Sequence, residues 1–450
     1  MFDVCQKSIR GGITTAVVFA LLAATWTSPA LAQKKNKTAA AAAPEPAPVK
    51  RMDTSVYVWP PPPAIPRLKY LDYFSAQKPP TVAATPKAEK KKSWMDRLAG
   101  VSQQEADRKA GRTPLFQLLT PYGMAVDSKG ILYIADTKVG AIFVVNPETD
   151  DTTLIKNGSD AKFGHIFGLA IDDSDRLFVS DGLYNHVLVF NAQHKLEGAF
   201  GEGVMNDVAG LAIDNENRFL YAANTGTDQI LVYDADSFKL LRKIGVPGKD
   251  HTLTAPGTFS KPTNVAVDKD GNLFVADTLN DRVEVFDADG GFIRAFGKNG
   301  DGIGEFARPK GIAVDRDGHV WVADAMLNRL QVFTPEGQVL LGFGGFGEFP
   351  GQFQGLTGLF IDSKNRLFTS EQYMGRVQMF RYVPDVDARA EFERRKAEAG
   401  KQAAESTPAA PASVAQPSTE VTPEAQKNTA MPAAAQEAPA AVPQQGSAAK

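Results

Sequence analysis

Short hydrophobic runs separated by polar turn residues recur through the middle of the chain. Residues 264–297 contain four of them, N-V-A-V-D, L-F-V-A-D, R-V-E-V-F and F-I-R-A-F. Turn residues such as Asp270, Gly271 and Asn272 lie between the runs. Runs of about five β-branched and aromatic residues bounded by turn residues are typical of antiparallel strands joined by tight turns. This segment therefore predicts a unit of four short strands.

The same unit occurs six times along the chain. Its first run ends each time in an aspartate: Asp127, Asp172, Asp214, Asp268, Asp315 and Asp362. Repeats of about 40–55 residues that each contain four strands are typical of propeller blades. The sequence therefore predicts an all-β fold, a six-bladed β-propeller of four-stranded antiparallel blades, over residues 56–383.

The sixth repeat lacks a fourth strand, because a charged segment follows Val383. Residues 67–74, R-L-K-Y-L-D-Y-F, resemble the fourth runs and precede the first repeat. We expect them to close the ring as the outer strand of the sixth blade, since closure removes an unpaired sheet edge. Residues 75–114 then form an insertion, with a short helix predicted over residues 93–108.

The two ends of the chain differ in composition from the repeats. Residues 1–32 predict a signal peptide, because Lys7 and Arg10 precede an apolar run and Ala30-Leu31-Ala32 suits cleavage. An Ala/Pro/Lys-rich linker follows at 33–55. After the repeats, residues 384–450 predict a charged, helix-prone segment and then a disordered Ala/Pro/Gln-rich tail.

Composition limits the location and the partners. The single cysteine, Cys5, lies in the predicted signal peptide, so the mature chain has no disulfide and no cysteine-ligated metal. Export without disulfides favours the bacterial periplasm, and an extracellular destination or an uncleaved anchor is the alternative. No later segment predicts a membrane span. A net charge of −3 argues against nucleic acid as a partner.

Two repeats resemble a known family. The patterns P-T-N-V-A-V-D-K-D-G-N-L-F-V-A-D and P-K-G-I-A-V-D-R-D-G-H-V-W-V-A-D are similar to NHL repeats, and V-W-P-P-P-P at 58–63 resembles exported bacterial members. The resemblance covers residues 115–383 and implies a six-bladed propeller with a binding role. Exported relatives occur with bacterial respiratory proteins, which suggests a protein partner such as a periplasmic multihaem cytochrome. A shared fold alone does not identify a reaction, because one fold can carry many functions.

Functional residues are expected where the repeats differ, because recurring residues serve the repeat itself. The positions that enter the first strands differ and should line one channel mouth, and the loops after the second strands should lie on the same face. Residues 246–261 lengthen the approach to the fourth blade over that face. The predicted ligand- or partner-binding residues are Tyr122, Phe167, Tyr184, Lys310, Tyr373, His165 and His251. Scattered exposed apolar residues are the alternative interpretation.

The recurring carboxylates are interpreted as turn caps. A second recurring set ends the second strands: Asp136, Asp181, Asn224, Asp277, Asp324 and Glu371. Only five histidines occur, and we find no three at matching positions, as catalytic zinc usually requires. We therefore predict no catalytic residue, metal ligand or cofactor, and an exported binding or scaffold protein. The alternative is a lactonase or lyase that uses Ca²⁺ or Zn²⁺ in the channel.

Overall fold

The computed structural model describes residues 54, 56–61, 64–76, 117–156, 161–248 and 251–405. The predicted signal peptide, the insertion helix at 93–108 and the tail after residue 405 lie outside these residues, as does all of the predicted linker except residue 54. Within them, the prediction of an all-β, six-bladed propeller with four-stranded antiparallel blades is confirmed.

Every blade is an antiparallel sheet whose first strand lines the central channel. Two N-terminal strands come first, β1 (Val58–Trp59) and β2 (Leu68–Phe74). The first blade contains β3 (Pro121–Val126), β4 (Leu132–Asp136), β5 (Ala141–Val145) and β6 (Thr152–Lys156). The second contains β7 (Ile166–Ile171), β8 (Leu177–Asp181), β9 (His186–Phe190) and β10 (Leu196–Phe200). The third contains β11 (Val208–Asp214), β12 (Phe219–Asn224), β13 (Gln229–Asp234) and β14 (Leu240–Ile244).

The remaining blades follow the same order. The fourth contains β15 (Pro262–Val267), β16 (Leu273–Asp277), β17 (Arg282–Phe286) and β18 (Phe292–Phe296). The fifth contains β19 (Pro309–Val314), β20 (Val320–Asp324), β21 (Arg329–Phe333) and β22 (Val339–Gly344). The sixth contains β23 (Leu356–Ile361), β24 (Arg366–Glu371) and β25 (Arg376–Tyr382). Two 3₁₀ turns, Thr225–Thr227 and Thr278–Asn280, and helix α1 (Asp385–Glu405) complete the described elements. No described helix is both long and apolar enough to cross a membrane.

The sixth blade takes its fourth strand from the N-terminal side of the ring. Strand β2 pairs antiparallel with β25, from Leu68 opposite Tyr382 to Phe74 opposite Val377. Strand β1 adds a fifth strand outside it. The β2 side chains Leu68, Tyr70 and Phe74 are buried in the sixth blade's two interfaces. One strand therefore contributes to the hydrophobic core on both sides of the blade that closes the ring.

Packing and hydroxyl groups join the blades to one another. Each hydrophobic cluster combines side chains of adjacent blades, such as Trp321 of the fifth and Phe380 of the sixth. At one end of the inner strands, hydroxyls donate to the next blade's backbone: Thr137 to Ile166 O, Ser180 to Ala209 O, Thr225 to Pro262 O, Thr278 to Pro309 O, and Ser370 to Tyr122 O. Because a buried carbonyl without a partner is costly, these bonds stabilise the close approach of the inner strands.

Candidate binding site at the channel mouth

Beta-bulges place the predicted mouth residues at one end of the channel. Every inner strand has an irregular register with the second strand near its start, as between Pro262 and Asn264 in β15. A bulge re-aims the side chain that it contains. The six residues placed by these bulges form what we call the upper mouth: Tyr122, Phe167, Ala209, Thr263, Lys310 and Thr357.

A cavity of about 250 Å³ runs below the upper mouth between the inner strands. Tyr122 lines one end of it, and the walls are mainly Val, Ala, Ile, Leu and Gly. Glycines allow the inner strands to come this close: a Cβ on Gly123 would lie 2.1 Å from Phe167 O, and one on Gly358 would lie 1.9 Å from Tyr122 O. The channel is therefore narrow, with apolar walls.

The first two blades form an aromatic sector of the upper mouth. The rings of Tyr122 and Phe167 meet edge to face with centroids 5.2 Å apart, and the His165 ring lies 6.3 Å from Phe167. Tyr122 is only 6% exposed, so it contributes to the cavity wall more than to the outer surface. Burial, together with the charge of Asp207, raises the pKa of the Tyr122 phenol to about 12. This tyrosine is therefore neutral at physiological pH.

The fourth and fifth blades form a cationic sector. Lys310 is half-buried at the mouth, while Lys261 and Arg308, two residues before the bulge positions of their strands, are exposed. Thr263 Oγ1 donates to Lys310 O at 3.3 Å, which links the two strands at this point. Burial, and then the charges of Arg308 and Lys261, lower the pKa of the Lys310 ammonium. The three cations therefore share one electrostatic environment.

The other predicted site residues have different surroundings. Tyr373 is 80% exposed on the loop after β24. Tyr184 is half-buried and carries the Lys162 ammonium 5.0 Å from its ring centroid. His251 Nδ1 lies 2.6 Å from Asp228 Oδ1, which also accepts the amide of Lys261. His251 thus anchors the loop before β15, in contact with a carboxylate rather than with His165.

Exposed apolar side chains occur in the loops of one face of the propeller. The upper face, meaning the loops that connect second to third strands and one blade to the next, carries Leu119, Leu183, Val204, Val246, Leu279, Ile303, Met326, Phe346, Phe349 and Tyr373. Phe346 and Phe349 are 73% and 70% exposed. Among the described residues, no large exposed apolar side chain lies in the loops of the opposite, lower face. Outside the loops, three outer strands begin at the lower end with exposed apolar side chains, and α1 carries another: Leu240, Leu241, Phe292, Ile293, Val339, Leu340 and Val386. The two faces therefore differ in the apolar exposure of their loops, a property that often marks an interaction surface.

Buried amides hold the upper-face loops in the fifth and sixth blades. Gln331 Nε2 donates to Glu305 O at 2.8 Å while its Oε1 accepts from Gly304 N at 2.7 Å. Gln378 makes the same pair of contacts with its own blade's incoming loop. The fourth blade has Glu284 at this position: its Oε1 accepts from Gly257 N and contacts Arg282, and its buried Oε2 has no hydrogen-bond partner. Burial is the main cause that raises the pKa of Glu284, to about 7.

The recurring carboxylates hold backbone turns. Asp136 Oδ2 accepts from the amides of Leu119 and Thr120, and its Oδ1 accepts from those of Lys138 and Val139. Asp181 and Asp324 repeat this arrangement, and Asn224, Asp277 and Glu371 each accept an incoming loop amide. Such contacts occupy the oxygens that Ca²⁺ would need.

One group of metal-binding residue types occurs within the described residues, Asp315, Asp317 and His319 on the lower face. Asp315 Oδ2 already accepts from Trp321 Nε1 at 2.9 Å and contacts His319 Nδ1 at 3.0 Å. Its Oδ1 accepts the amides of Asp317 and His319. The aspartate at the centre of this group is therefore engaged as a turn cap.

Comparisons with known proteins agree with this architecture. Residues 258–333, from the loop before β15 to the end of β21, match the family described as DUF5128, a 6-bladed beta-propeller. The chain is a six-bladed β-propeller. A probable peptidyl-α-hydroxyglycine α-amidating lyase of Caenorhabditis elegans is 35% identical over 108 residues, 23% of this chain. The match spans 29% of that relative's length.

Solved structures with a similar chain path share little sequence with this propeller. A catalytically inactive variant of virginiamycin B lyase from Staphylococcus aureus with quinupristin is 14% identical, with a TM-score of 0.45 over 59% of this chain and 95% of that one. A gluconolactonase from Xanthomonas campestris is 17% identical, with a TM-score of 0.47 over 59% of this chain and 87% of that one.

Sequence reasoning missed the cations beside Lys310. Lys261 and Arg308 each precede a proline that begins an inner strand, in Lys261-Pro262-Thr263 and Arg308-Pro309-Lys310. A comparison between the six repeats, at the position two residues before each upper-mouth residue, would have found them. That position holds Thr120, His165, Asp207, Lys261, Arg308 and Gly355. This second set varies as much as the mouth residues themselves.

Proposed function

We propose that this chain is an NHL-type propeller without catalysis of its own that binds a protein partner on its upper face. The observation that carries the proposal is the difference between the faces, since the exposed apolar side chains of the described loops all lie on the upper one. Aromatic residues, methionine and a few cations around a central cleft are typical of protein interfaces. A rigid ring that presents such loops suits recognition.

The recurring polar residues support a structural rather than a chemical role for the repeats. Their carboxylates cap turns, as Asp136 and Asp315 do. The residues that vary between blades, such as Phe167, Lys310 and Tyr373, are the ones near the upper face. The predicted export, periplasmic location and cytochrome partner stay predictions, and the upper face is the surface that such a partner would contact.

Site-specific photocrosslinking tests the proposal. We expect benzoylphenylalanine in place of Tyr373 or Phe349 to capture the same protein in the native cells, because both side chains project from the upper face. The matched control carries the probe in place of Lys269, which is exposed at the lower mouth. Equal capture from the Lys269 position, or none from the two upper positions, would contradict the proposal.

The second candidate is a metal-dependent lyase or lactonase that uses the channel. The name of the Caenorhabditis elegans relative favours it, since 108 residues align at 35% identity. We expect the purified propeller to hold no stoichiometric Zn²⁺ or Ca²⁺ and to keep its melting temperature after dialysis against EDTA, because the recurring carboxylates are already engaged. Elemental analysis that finds one metal ion per chain, lost together with thermal stability on chelation, would favour the enzyme.

A further inference from the structure

Three cations at the upper mouth form no salt bridge within the described part of the chain. Lys310 and Arg308 lie at the start of β19, and Lys261 lies just before the neighbouring strand β15. Their ammonium and guanidinium groups form no ion pair with any carboxylate that the structure describes. Asp281, whose pKa Arg308 lowers against the stronger raising effect of burial, is hydrogen-bonded to Asn299 Nδ2 at 2.8 Å.

Other cations of the upper face form ion pairs with carboxylates. Arg282 pairs with Asp277 and Glu284, and Arg376 pairs with Glu371, all at 3.1 Å or less. A half-buried cation near two others is unfavourable unless an anion joins them, as the lowered pKa of Lys310 indicates. The fourth and fifth blades therefore present a preformed position for a negative group.

The surroundings distinguish a protein from a membrane or a small anion. Ile303, Phe346 and Phe349 spread apolar surface over the loops of these blades and the next, much wider than a single small ion needs. Exposed Asp301 and Glu348 lie in the same loops, and a flat anionic bilayer over this face would lie against both carboxylates, whereas a single loop at the mouth covers a smaller area. An acidic loop with apolar flanks matches both the charge and the apolar surface.

We infer that Lys261, Arg308 and Lys310 receive an aspartate- or glutamate-containing loop of the protein partner. This inference rests on the proposed function, because it names the chemistry of the surface that docks on the upper face. The carboxylate lies between the two blades, and its apolar neighbours contact exposed apolar side chains of the upper-face loops, such as Ile303. Charge pairs of this kind raise the association rate and fix the orientation of a complex.

A zero-length carbodiimide crosslinker tests the contact directly, because it joins a lysine amine only to a carboxylate that touches it. The full chain is treated in native cell extract and its crosslinked peptides are identified by mass spectrometry. We expect Lys261 or Lys310 to be joined to an aspartate or glutamate of the protein that the Tyr373 photoprobe captures. Links to that protein only through Lys269 or Lys364, which are exposed on the lower face, would overturn the inference.

Binding measurements with that purified protein complete the test. We expect the double variant Lys261→Gln/Arg308→Gln to bind about tenfold more weakly at low salt, with a smaller difference at high salt. Lys261 and Arg308 are exposed, so we expect the double variant to fold normally. Lys310→Met removes the third charge at similar side-chain volume and should also weaken binding. Lys269→Gln is the matched control and should bind like the unmodified chain.

The outcomes separate this inference from the proposed function. If Tyr373 captures a partner but the charge variants bind it normally, the acidic loop is wrong and the upper-face interface stands. If neither probe captures a protein, both fail. Binding of phosphatidylglycerol vesicles, or of inorganic phosphate alone, that depends on the three cations would overturn the inference in favour of a membrane or a small anion.

Discussion

Replacing Glu284 with glutamine should stabilise the propeller by about 2–3 kcal/mol at pH 8 and change its stability little at pH 5. The wild-type carboxylate is buried with one oxygen unpaired. Glutamine supplies an amide at the position where Gln331 and Gln378 use theirs to hold the incoming loop. Urea unfolding at the two pH values measures the difference.

The sign follows from the two pKa values. Glu284 has a pKa of about 7 in the folded chain, against 4.5 as its ordinary value. The folded state therefore binds the proton more tightly, and the stability that this proton contributes is complete below pH 4.5 and lost as the pH rises through about 7. Burial raises the pKa of Glu284, and it outweighs the lowering effects of Arg282 and of the Gly257 amide; the charge of Asp277 adds to the rise.

The reverse substitution in the fifth blade provides a matched control. Gln331→Glu should destabilise the protein at pH 8 and less so at pH 5, because it places a buried carboxylate in the position of an amide that donates to Glu305 O. If Glu284→Gln is neutral at pH 8, or if its effect is the same at both pH values, Glu284 is not the buried group described.

Removing residues 56–74 should destabilise the whole ring rather than a single edge. The deletion leaves the sixth blade with three strands and uncovers Val377 and Phe380, which β2 covers. Most domains have a free energy of unfolding of only about 5–15 kcal/mol. The deletion removes the hydrogen bonds of one strand and the burial of its side chains, and we expect the free energy lost with them to exceed that margin. We expect no cooperative thermal transition for the deletion, as followed by near-ultraviolet circular dichroism.

Two point variants of the same strand act as controls for this deletion. Leu68→Ala removes a fully buried side chain and should cost about 2–5 kcal/mol. Leu71→Ala, at an exposed position three residues on, should cost less than about 0.5 kcal/mol. A synthetic peptide of residues 56–76 should restore the thermal transition of the deletion variant by pairing with β25. A deletion that unfolds like the intact chain would show that β2 is dispensable.

The fold was largely predictable because its signal is repeated. Each blade has the same alternation of short apolar runs and turn residues, so a strand that is hard to recognise in one repeat can be located by comparison with the others. The position of β2 was also open to prediction, because residues 67–74 carry the pattern that the last repeat lacks. Asp136 and Asp315 cap turns in the structure, as recurrence suggested.

The site was less predictable because it depends on contacts between blades. Tyr122 is predicted to line the channel mouth, and it does line the channel, but contact with Phe167 and the narrowness of the channel leave it almost buried. His251 has the residue type of a ligand, but a carboxylate from the third blade contacts it. That Lys310 forms no ion pair with a described carboxylate could not be read from the sequence, since it depends on which side chains reach it in the folded ring.

The pairing of β2 with β25 has a consequence for synthesis of the chain. These strands lie roughly 300 residues apart in sequence, and long-range pairing of this kind slows folding. Strand β2 is synthesised before all six repeats and must wait for β25, the last strand, before it can join a blade. A product that ends before Arg376 lacks β25 and keeps an open ring with unpaired strand edges, which favours aggregation or proteolysis. Ring closure thus acts as a check that the propeller has been made to its end.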